Sequence, residues 1–402
     1  MPTAKVLMLS LYYPPDLSAG SFRAQALVNE LAAQSDGYTL DVITGEPSRY
    51  GSWRPDDDQS VLPAGVRLHR VSLPQIRTGL LGQALMMLVF MFKACRLARG
   101  QDYQLVVATS SRLMTAVLGA WIAKRQRAAL YLDIRDIFVE TLSYLYPGKL
   151  WRPVLAVLDR LERWAIGRAD KVNLVSRGFA SYFEARYPGR SFSFFPNGVD
   201  SLFDYAADEL GSNGKASVTT GSRLNILYAG NVGEGQGLHL VLPELARRLG
   251  SGVSFKVIGD GGRLEALRNA LQVNQISTVS LLPPVARASL RQNYLDADVL
   301  FLHLNDLPAF RRVLPSKLFE YAATGKPILA GVSGYAAEFI QHELSNVAVF
   351  APLDVDGAVV GLEQLKLEHS DRSGFVGRFS RALIMRDMVA DIRSLLAGPN
   401  QS

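Results

Sequence analysis

The chain reads as an α/β protein built from two doubly wound, parallel-sheet domains. Short apolar runs alternate with helix-length amphipathic segments through both halves. A small, polar stretch rich in Gly and Ser at 205–223 interrupts the alternation, and the same pattern restarts after it. At 402 residues the chain accommodates two domains, each with its own core.

In the first half, Lys5–Ser10 is a short apolar run bounded by a Pro/Gly loop, which predicts a strand. Ser21–Ala33 then spaces Phe22, Ala26, Leu27 and Leu31 as one helix face. Leu40–Thr44, Arg67–Ser72, Gln104–Ala108, Ala129–Leu132 and Lys171–Val175 read as further strands, with helices over 78–99, Met114–Lys124 and Pro153–Arg168. The second half predicts strands at Asn225–Tyr228, Ser254–Ile258, Val279–Leu281, Val299–His303 and Pro327–Ala330. Helices are expected at His239–Arg248, Leu264–Leu271, Ala288–Leu295, Ser316–Ala323 and Ala337–Leu344. A last amphipathic stretch, Phe375–Leu396, completes the chain's regular structure. The expected division is therefore 1–204, a linker at 205–223, and 224–374 followed by that final helix.

Composition narrows the class. With 48% hydrophobic and 20% charged residues, global disorder and repeat fibres are excluded. The single Cys95 cannot form an internal disulfide, which fits a reducing cytosol and excludes a multi-Cys metal site. Residues 1–200 carry 24 Lys and Arg against 17 Asp and Glu, whereas 201–402 carry 19 against 20. A basic first half suits an anionic partner such as nucleic acid, acidic lipid or a phosphorylated substrate. Thr78–Phe92 holds 15 residues without charge, short of the roughly 20 needed to span a bilayer. Arg77 precedes it and Lys93, Arg96 and Arg99 follow it. That segment is either a helix lying in an anionic interface or a buried core helix with a solvated end.

Ligands of open α/β sheets bind beyond the carboxyl ends of strands, so the residues there are the candidates. After the first strand, Gly20 and Ser21 allow backbone amides to approach an anion or sugar at a helix start. Arg23 follows in the first turn, where a cation opposes the helix dipole, which marks it as a phosphate candidate. Asp133–Glu140 sets Asp136 and Arg135 just past a strand end: Asp136 either orients a hydroxyl, acts as a base, or forms a structural Asp–Arg pair. Two strand–Gly–helix turns, at 225–238 and 258–263, lack dinucleotide spacing, but two in one domain point to a nucleotide or diphosphate. The segment 314–327 is the most informative. Ser316, Lys317 and Leu318 would offer free amides at a helix start, Lys317 adds charge, and Glu320 shares its face. Asp296 and Asp298 precede a strand at its amino end and read as structural. The five His residues have no i, i+4 pair, so no metal site is expected, and no nucleic-acid motif is present.

These stretches together resemble a retaining family 4 glycosyltransferase of GT-B fold, in the branch that builds bacterial O-antigen and capsule sugars. The resemblance spans most of the chain: residues 12–32, DIRDIFVET (133–141), FPNGVD (195–200), YAGNVGEGQGL (228–238), VIGDGG (257–262) and, most specifically, PSKLFEYAATGKP (315–327). It implies two Rossmann-like domains facing across a cleft, with the last helix returning to the first domain. It further implies that the second domain binds a nucleoside-diphosphate sugar, most often a UDP-sugar, with Glu320 at the ribose and Ser316, Lys317 and Leu318 at the diphosphate. Gly259, Pro284 and Val285 would line the base. The first domain would hold the acceptor, a saccharide on polyprenyl diphosphate, with Asp136 as the carboxylate and Gly20 near the donor phosphates. Neither cofactor nor metal is implied, and the place of action would be the cytoplasmic face of an anionic membrane. Two departures from the pattern stand out: Arg312 occupies a position where many members have Glu, and Asn231 and Gln236 replace an Arg and a Lys. Arg311 or Arg312 with Lys317 would then neutralise phosphate. The alternatives are a non-catalytic nucleotide-binding partner of an active transferase, and a nucleotide-sugar epimerase on the same fold.

Overall fold

The computed structural model describes residues 4–35, 37–47, 62–74, 79–110, 112–205 and 223–396. The chain divides into one compact unit of Met1–Asn197 with Ala382–Ser402, and a second of Gly198–Arg381. Most of the expected linker, together with Arg77 and Thr78, lies outside the described residues.

The first unit contains β1 (Ala4–Ser10), α1 (Ala19–Ala33), β2 (Tyr38–Gly45), β3 (Val66–Val71), α2 (Gly79–Ala98), β4 (Leu105–Ser110) and α3 (Leu113–Gln126). It continues with β5 (Ala129–Ile134), α4 (Phe138–Leu145), α5 (Arg152–Arg168), β6 (Lys171–Leu174) and α6 (Ala180–Arg186). Its sheet runs β3-β2-β1-β4-β5-β6, and every pairing is parallel. Parallel strands covered on both faces need continuous apolar runs, and β1 and β4 provide them: Val6, Leu7, Met8, Leu9 and Leu105–Ala108 have no exposure.

The second unit contains β7 (Leu224–Ala229), α7 (Leu238–Leu249), β8 (Val253–Ile258), α8 (Leu264–Val273), β9 (Val279–Leu282), α9 (Arg287–Asp296) and β10 (Val299–His303). After these come α10 (Lys317–Ala323), β11 (Ile328–Gly331), α11 (Tyr335–Glu343), β12 (Val347–Phe350), α12 (Val355–Gln364) and α13 (Ser373–Arg378). This second six-stranded sheet has the order β12-β11-β10-β7-β8-β9, again all parallel. The expected α/β class and its two doubly wound sheets are what the structure shows. The sequence reading leaves α4, α6, β12 and α12 unassigned: α4 and α6 are short, and β12 is a four-residue edge strand.

Two expectations about organisation change. The first unit ends at Asn197 rather than 204, because Val199, Phe203 and Tyr205 pack into the second unit's core. The stretch Phe375–Leu396 is not one helix. Val199 N–H donates to Phe379 O at 2.7 Å and Arg381 N–H to Val199 O at 2.7 Å, a bridge that interrupts the helical ladder. Phe375 and Phe379 therefore pack within the second unit. The helix α14 (Arg381–Arg393) sets Met385, Met388, Val389 and Ile392 into the first unit's core beside Leu27, Val28 and Tyr131.

The 78–99 segment forms a helix, α2, with one side buried and an apolar side exposed, which fits the core-helix reading on the buried side. Met87, Phe90, Ala94 and Ala98 of α2 are buried, while Leu85, Leu88, Phe92 and Leu97 stand exposed, Phe92 by 71%. Among the described residues, no helix is long and apolar enough to cross a membrane.

Candidate active site

In the second unit, the carboxyl ends of β7 and β8 meet backbone to backbone. Gly230 (φ +144°) donates its N–H to Ile258 O at 2.7 Å, and Gly259 (φ +154°) lies so close that a Cβ there would collide with Gly230 O. Both φ values lie where side chains are strained, so glycine is required twice. A Cβ on Gly230 would occupy the space of the Lys317 ammonium. The lysine thus crosses the end of β7 where the chain carries no side chain.

Lys317 opens α10. Among the described residues, its ammonium makes no hydrogen bond or ion pair. Its neighbours are the Tyr228 ring, centred 5.8 Å away, and the charge of Glu320 one turn on. Burial pulls its pKa below the ordinary lysine value, and Glu320 opposes that only in part. A desolvated cation without an anionic partner is unfavourable unless a ligand supplies the anion. The half-buried Glu320 accepts a hydrogen bond on Oε2 from Tyr294 Oη at 2.8 Å.

The start of α10 differs from the expectation. Ser316 takes helical backbone angles and its side chain caps nothing. The Leu318 N–H is not free: it donates to Pro315 O at 3.1 Å in a tight first turn, and the Leu318 side chain is fully buried. Arg312 sits half-buried in the 3-10 turn Pro308–Arg312 that leads to α10, and Arg311 there is exposed and 3.4 Å from Asp306. Pro284 and Val285 follow β9, with Val285 packed on the core.

Asn231 and Gln236, the two departures in the Gly-rich turn, bond one another: Asn231 Nδ2 donates to Gln236 Oε1 at 2.7 Å, which also accepts from Gly233 N–H at 3.2 Å. The turn is further held by His303, which sequence reasoning missed. Gln236 O, 2.7 Å from His303 Nδ1, can only accept, so Nδ1 carries the proton, and Nε2 accepts from Leu353 N–H at 3.1 Å. Burial lowers the His303 pKa to about 4, so the ring stays neutral and braces the loop. Asn305 adds a second strut, donating to Glu234 O at 3.0 Å. A His ending an apolar strand was the available signal; its partners are 50 or more residues away and left none.

In the first unit, Arg23 is not available to a phosphate. It is 1% exposed and forms a two-point pair with the buried Asp133, Nε to Oδ2 and Nη2 to Oδ1, both at 2.9 Å. Its remaining donors reach Pro196 O at 2.7 Å and Phe195 O at 2.9 Å. Burial alone would raise the Asp133 pKa, but Arg23, with hydrogen bonds from Arg23 and Asn173, holds it below the usual carboxylate range. Arg23 therefore ties α1, β5 and the 195–196 segment together. The face of Gly20 is covered by the Arg135 guanidinium, with which a Cβ there would collide. Asp136 is exposed just beyond β5, on the rim of a small hollow lined by Ser110, Phe138, Ile166 and Glu162. Glu162, also unforeseen, is buried and accepts from Tyr182 Oη at 3.0 Å and Tyr187 Oη at 3.2 Å; burial raises its pKa, opposed by Arg186.

Comparisons with known proteins agree with this architecture. Residues 20–198 match the model of a glycosyl transferase 4-like domain, and residues 223–366 that of glycosyl transferases group 1. A protein named as a colanic acid biosynthesis glycosyl transferase, WcaI, of Escherichia coli (strain K12) is 24% identical, over 97% of this chain and all of its own. Among solved structures, Anabaena HepE in complex with UDP and glucose superposes with a TM-score of 0.67 at 17% identity, covering 97% of this chain and 99% of that one. WaaG, a glycosyltransferase involved in lipopolysaccharide biosynthesis, gives a TM-score of 0.62 at 15% identity, over 98% and 96%. Two all-parallel six-stranded sheets, each matched by its own transferase domain model, lead to one conclusion: the chain belongs to the glycosyltransferases of GT-B fold.

Proposed function

We propose that the protein transfers a sugar, with retention of anomeric configuration, from a UDP-sugar to a saccharide carried on polyprenyl diphosphate. The setting is cell-surface polysaccharide assembly, of the O-antigen or capsule kind, at the cytoplasmic face of the membrane. The observation that carries the reading is Lys317: a half-buried, partly desolvated ammonium with no ion pair among the described residues, packed over Gly230 at the end of β7. A diphosphate supplies the missing anion. As the glycosidic bond to it breaks, negative charge grows on the leaving group and positive charge on the sugar. Lys317, the amides of Ser316 and Lys317, and Arg312 stabilise the former, and one well-placed donor is worth about 3 kcal/mol. Glu320 accepts from the ribose hydroxyls, and Asp136 orients the acceptor, with Arg135 beside Gly20 as the cation for its phosphate. Because these side chains carry the charge, the reading calls for no metal. UDP as the nucleotide is supported by the HepE structures holding UDP and UDP-glucose, and the polysaccharide setting by the names of WcaI and WaaG.

The membrane reading rests on surfaces of the first unit. The exposed apolar stripe of α2 runs into Lys93, Arg96 and Arg99, and α2 has no acidic residue. At the start of α5, Leu150 is 92% exposed and Val154 and Val157 stand out beside Lys149 and Arg152. Exposed apolar residues beside cations match an anionic interface. Flotation with anionic liposomes at low salt tests this, and equal recovery on neutral vesicles would remove the membrane from the reading.

The first test of function is a thermal melt with UDP, GDP, CMP and dTDP at about 1 mM. A dissociation constant near 10 µM would add roughly 2.7 kcal/mol of stability. A shift with UDP, followed by turnover of a UDP-sugar with a lipid-linked saccharide, is the expected result. A shift without turnover would favour the non-catalytic partner, and conversion of UDP-sugar without acceptor would favour the epimerase, a reaction that one neighbour of this fold is named for.

A further inference from the structure

We propose that Tyr294 is a positioning residue of the nucleotide site, its hydroxyl holding the Glu320 carboxylate in the orientation that receives the ribose. The proposal rests on the assignment of Glu320 to the ribose made above. Tyr294 lies on α9 and has no exposure. Its Oη donates to Glu320 Oε2 at 2.8 Å, while Oε1 has no partner among the described residues. The phenol ring is held on two sides, edge-on to Tyr321 with centroids 5.3 Å apart and tilted against Phe203 at 5.5 Å. A ring so packed cannot swing its hydroxyl away, so the carboxylate is steered by a fixed donor. Burial first, then the Glu320 charge, raises the phenol pKa well above its ordinary value, so the hydroxyl keeps its proton across the working pH range.

The neighbouring buried tyrosine does a different job. Tyr321 Oη accepts from Ala229 N–H at 3.1 Å, closing the last backbone donor of β7, and makes no hydrogen bond to Glu320. Glu320 is a long side chain at a half-buried position, with three rotatable bonds to restrict before a diol can be bound in one geometry. Tyr294 restricts them before the ligand arrives, which is preorganisation supplied from outside the contact itself.

The test is titration of UDP and 2′-deoxy-UDP (or the GDP pair, should the melts select guanine) into wild type, Y294F, Y321F and E320Q, with donor kinetics alongside. Y294F removes one oxygen and keeps the ring. The expected result is a UDP affinity about three- to tenfold weaker in Y294F, with 2′-deoxy-UDP changed less, KM for the donor raised and kcat nearly unchanged. Y321F, the control for a lost buried hydroxyl and for any general loosening of the fold, leaves the UDP to 2′-deoxy-UDP ratio at the wild-type value. The inference is overturned if E320Q weakens UDP while Y294F does not, or if Y294F weakens both nucleotides equally. If E320Q itself leaves UDP affinity unchanged, Glu320 does not hold the ribose and both readings fall together.

Discussion

Arg23 and Lys317 occupy equivalent places in the two units: each is a cation in the first turn or so of a helix that follows a parallel strand. Arg23 is saturated. Every guanidinium nitrogen has a partner: Asp133 accepts two hydrogen bonds and the carbonyls of Phe195 and Pro196 one each. Lys317 is only half-buried and meets an aromatic ring and the more distant charge of Glu320. A buried charge with all partners in place is architecture; one left open is a site awaiting a ligand. The sign and position of the charge are the same in both, and the difference is made by residues far away in the chain.

Four measurements break or sharpen that contrast. Arg23→Ala leaves Asp133 buried without its cation and should cost about 3–5 kcal/mol, lowering Tm by about 10 °C. A fall of only a degree or two would mean the pair is dispensable. Lys317→Ala should do the reverse: Tm unchanged or slightly higher, because an unmatched desolvated charge is gone, with UDP affinity reduced about ten- to a hundredfold. Equal stability losses in the two variants would erase the distinction. Gly230→Ala should cost about 1–3 kcal/mol through its backbone angle and, by displacing the Lys317 ammonium, weaken UDP as well. A variant that melts earlier but binds UDP normally would show that the lysine does not depend on that gap.

The smallest expected effect is in pH dependence, and the two sites act in different pH windows. The Lys317 pKa is lowered on folding, so more protons are bound in the unfolded chain between its folded pKa and about 10.5. Through that alkaline window this group's contribution to stability rises with pH while UDP affinity falls. The Asp133 pKa is also lowered, so its contribution is present above about 3.9 and is lost as pH falls through the folded value. Acid should therefore cost wild type more than Arg23→Ala, a difference readable from parallel melts.

The parts of the molecule legible in the sequence are those set by neighbours in the chain. The strand alternation, the Gly turns at 230 and 259, and the grouping of Lys317 with Glu320 on one helix face all depend on residues within a few positions of one another. What stayed hidden depends on distant ones. Arg23 looks free until Asp133, 110 positions on, is folded against it. Phe375–Leu396 keeps helical spacing across a break that Val199 imposes from elsewhere. Leu318 looked like an open donor because a tight first turn onto Pro315 leaves no mark in residue type. Tyr294 and His303 read as ordinary core residues, and only their partners distinguish them.

The return of α14 to the first unit bears on how the protein is made. The apolar side chains that complete the core beside Leu27, Val28 and Tyr131 are synthesised only after the whole second unit. About 180 residues must be added after Asn197 before they emerge, which at about 5–20 residues per second takes roughly 10–40 s. Through that interval a nascent first unit exposes an unfilled groove, while the second unit, encoded without interruption, can close on its own. A premature stop near residue 380 would thus damage the amino-terminal half of the enzyme first.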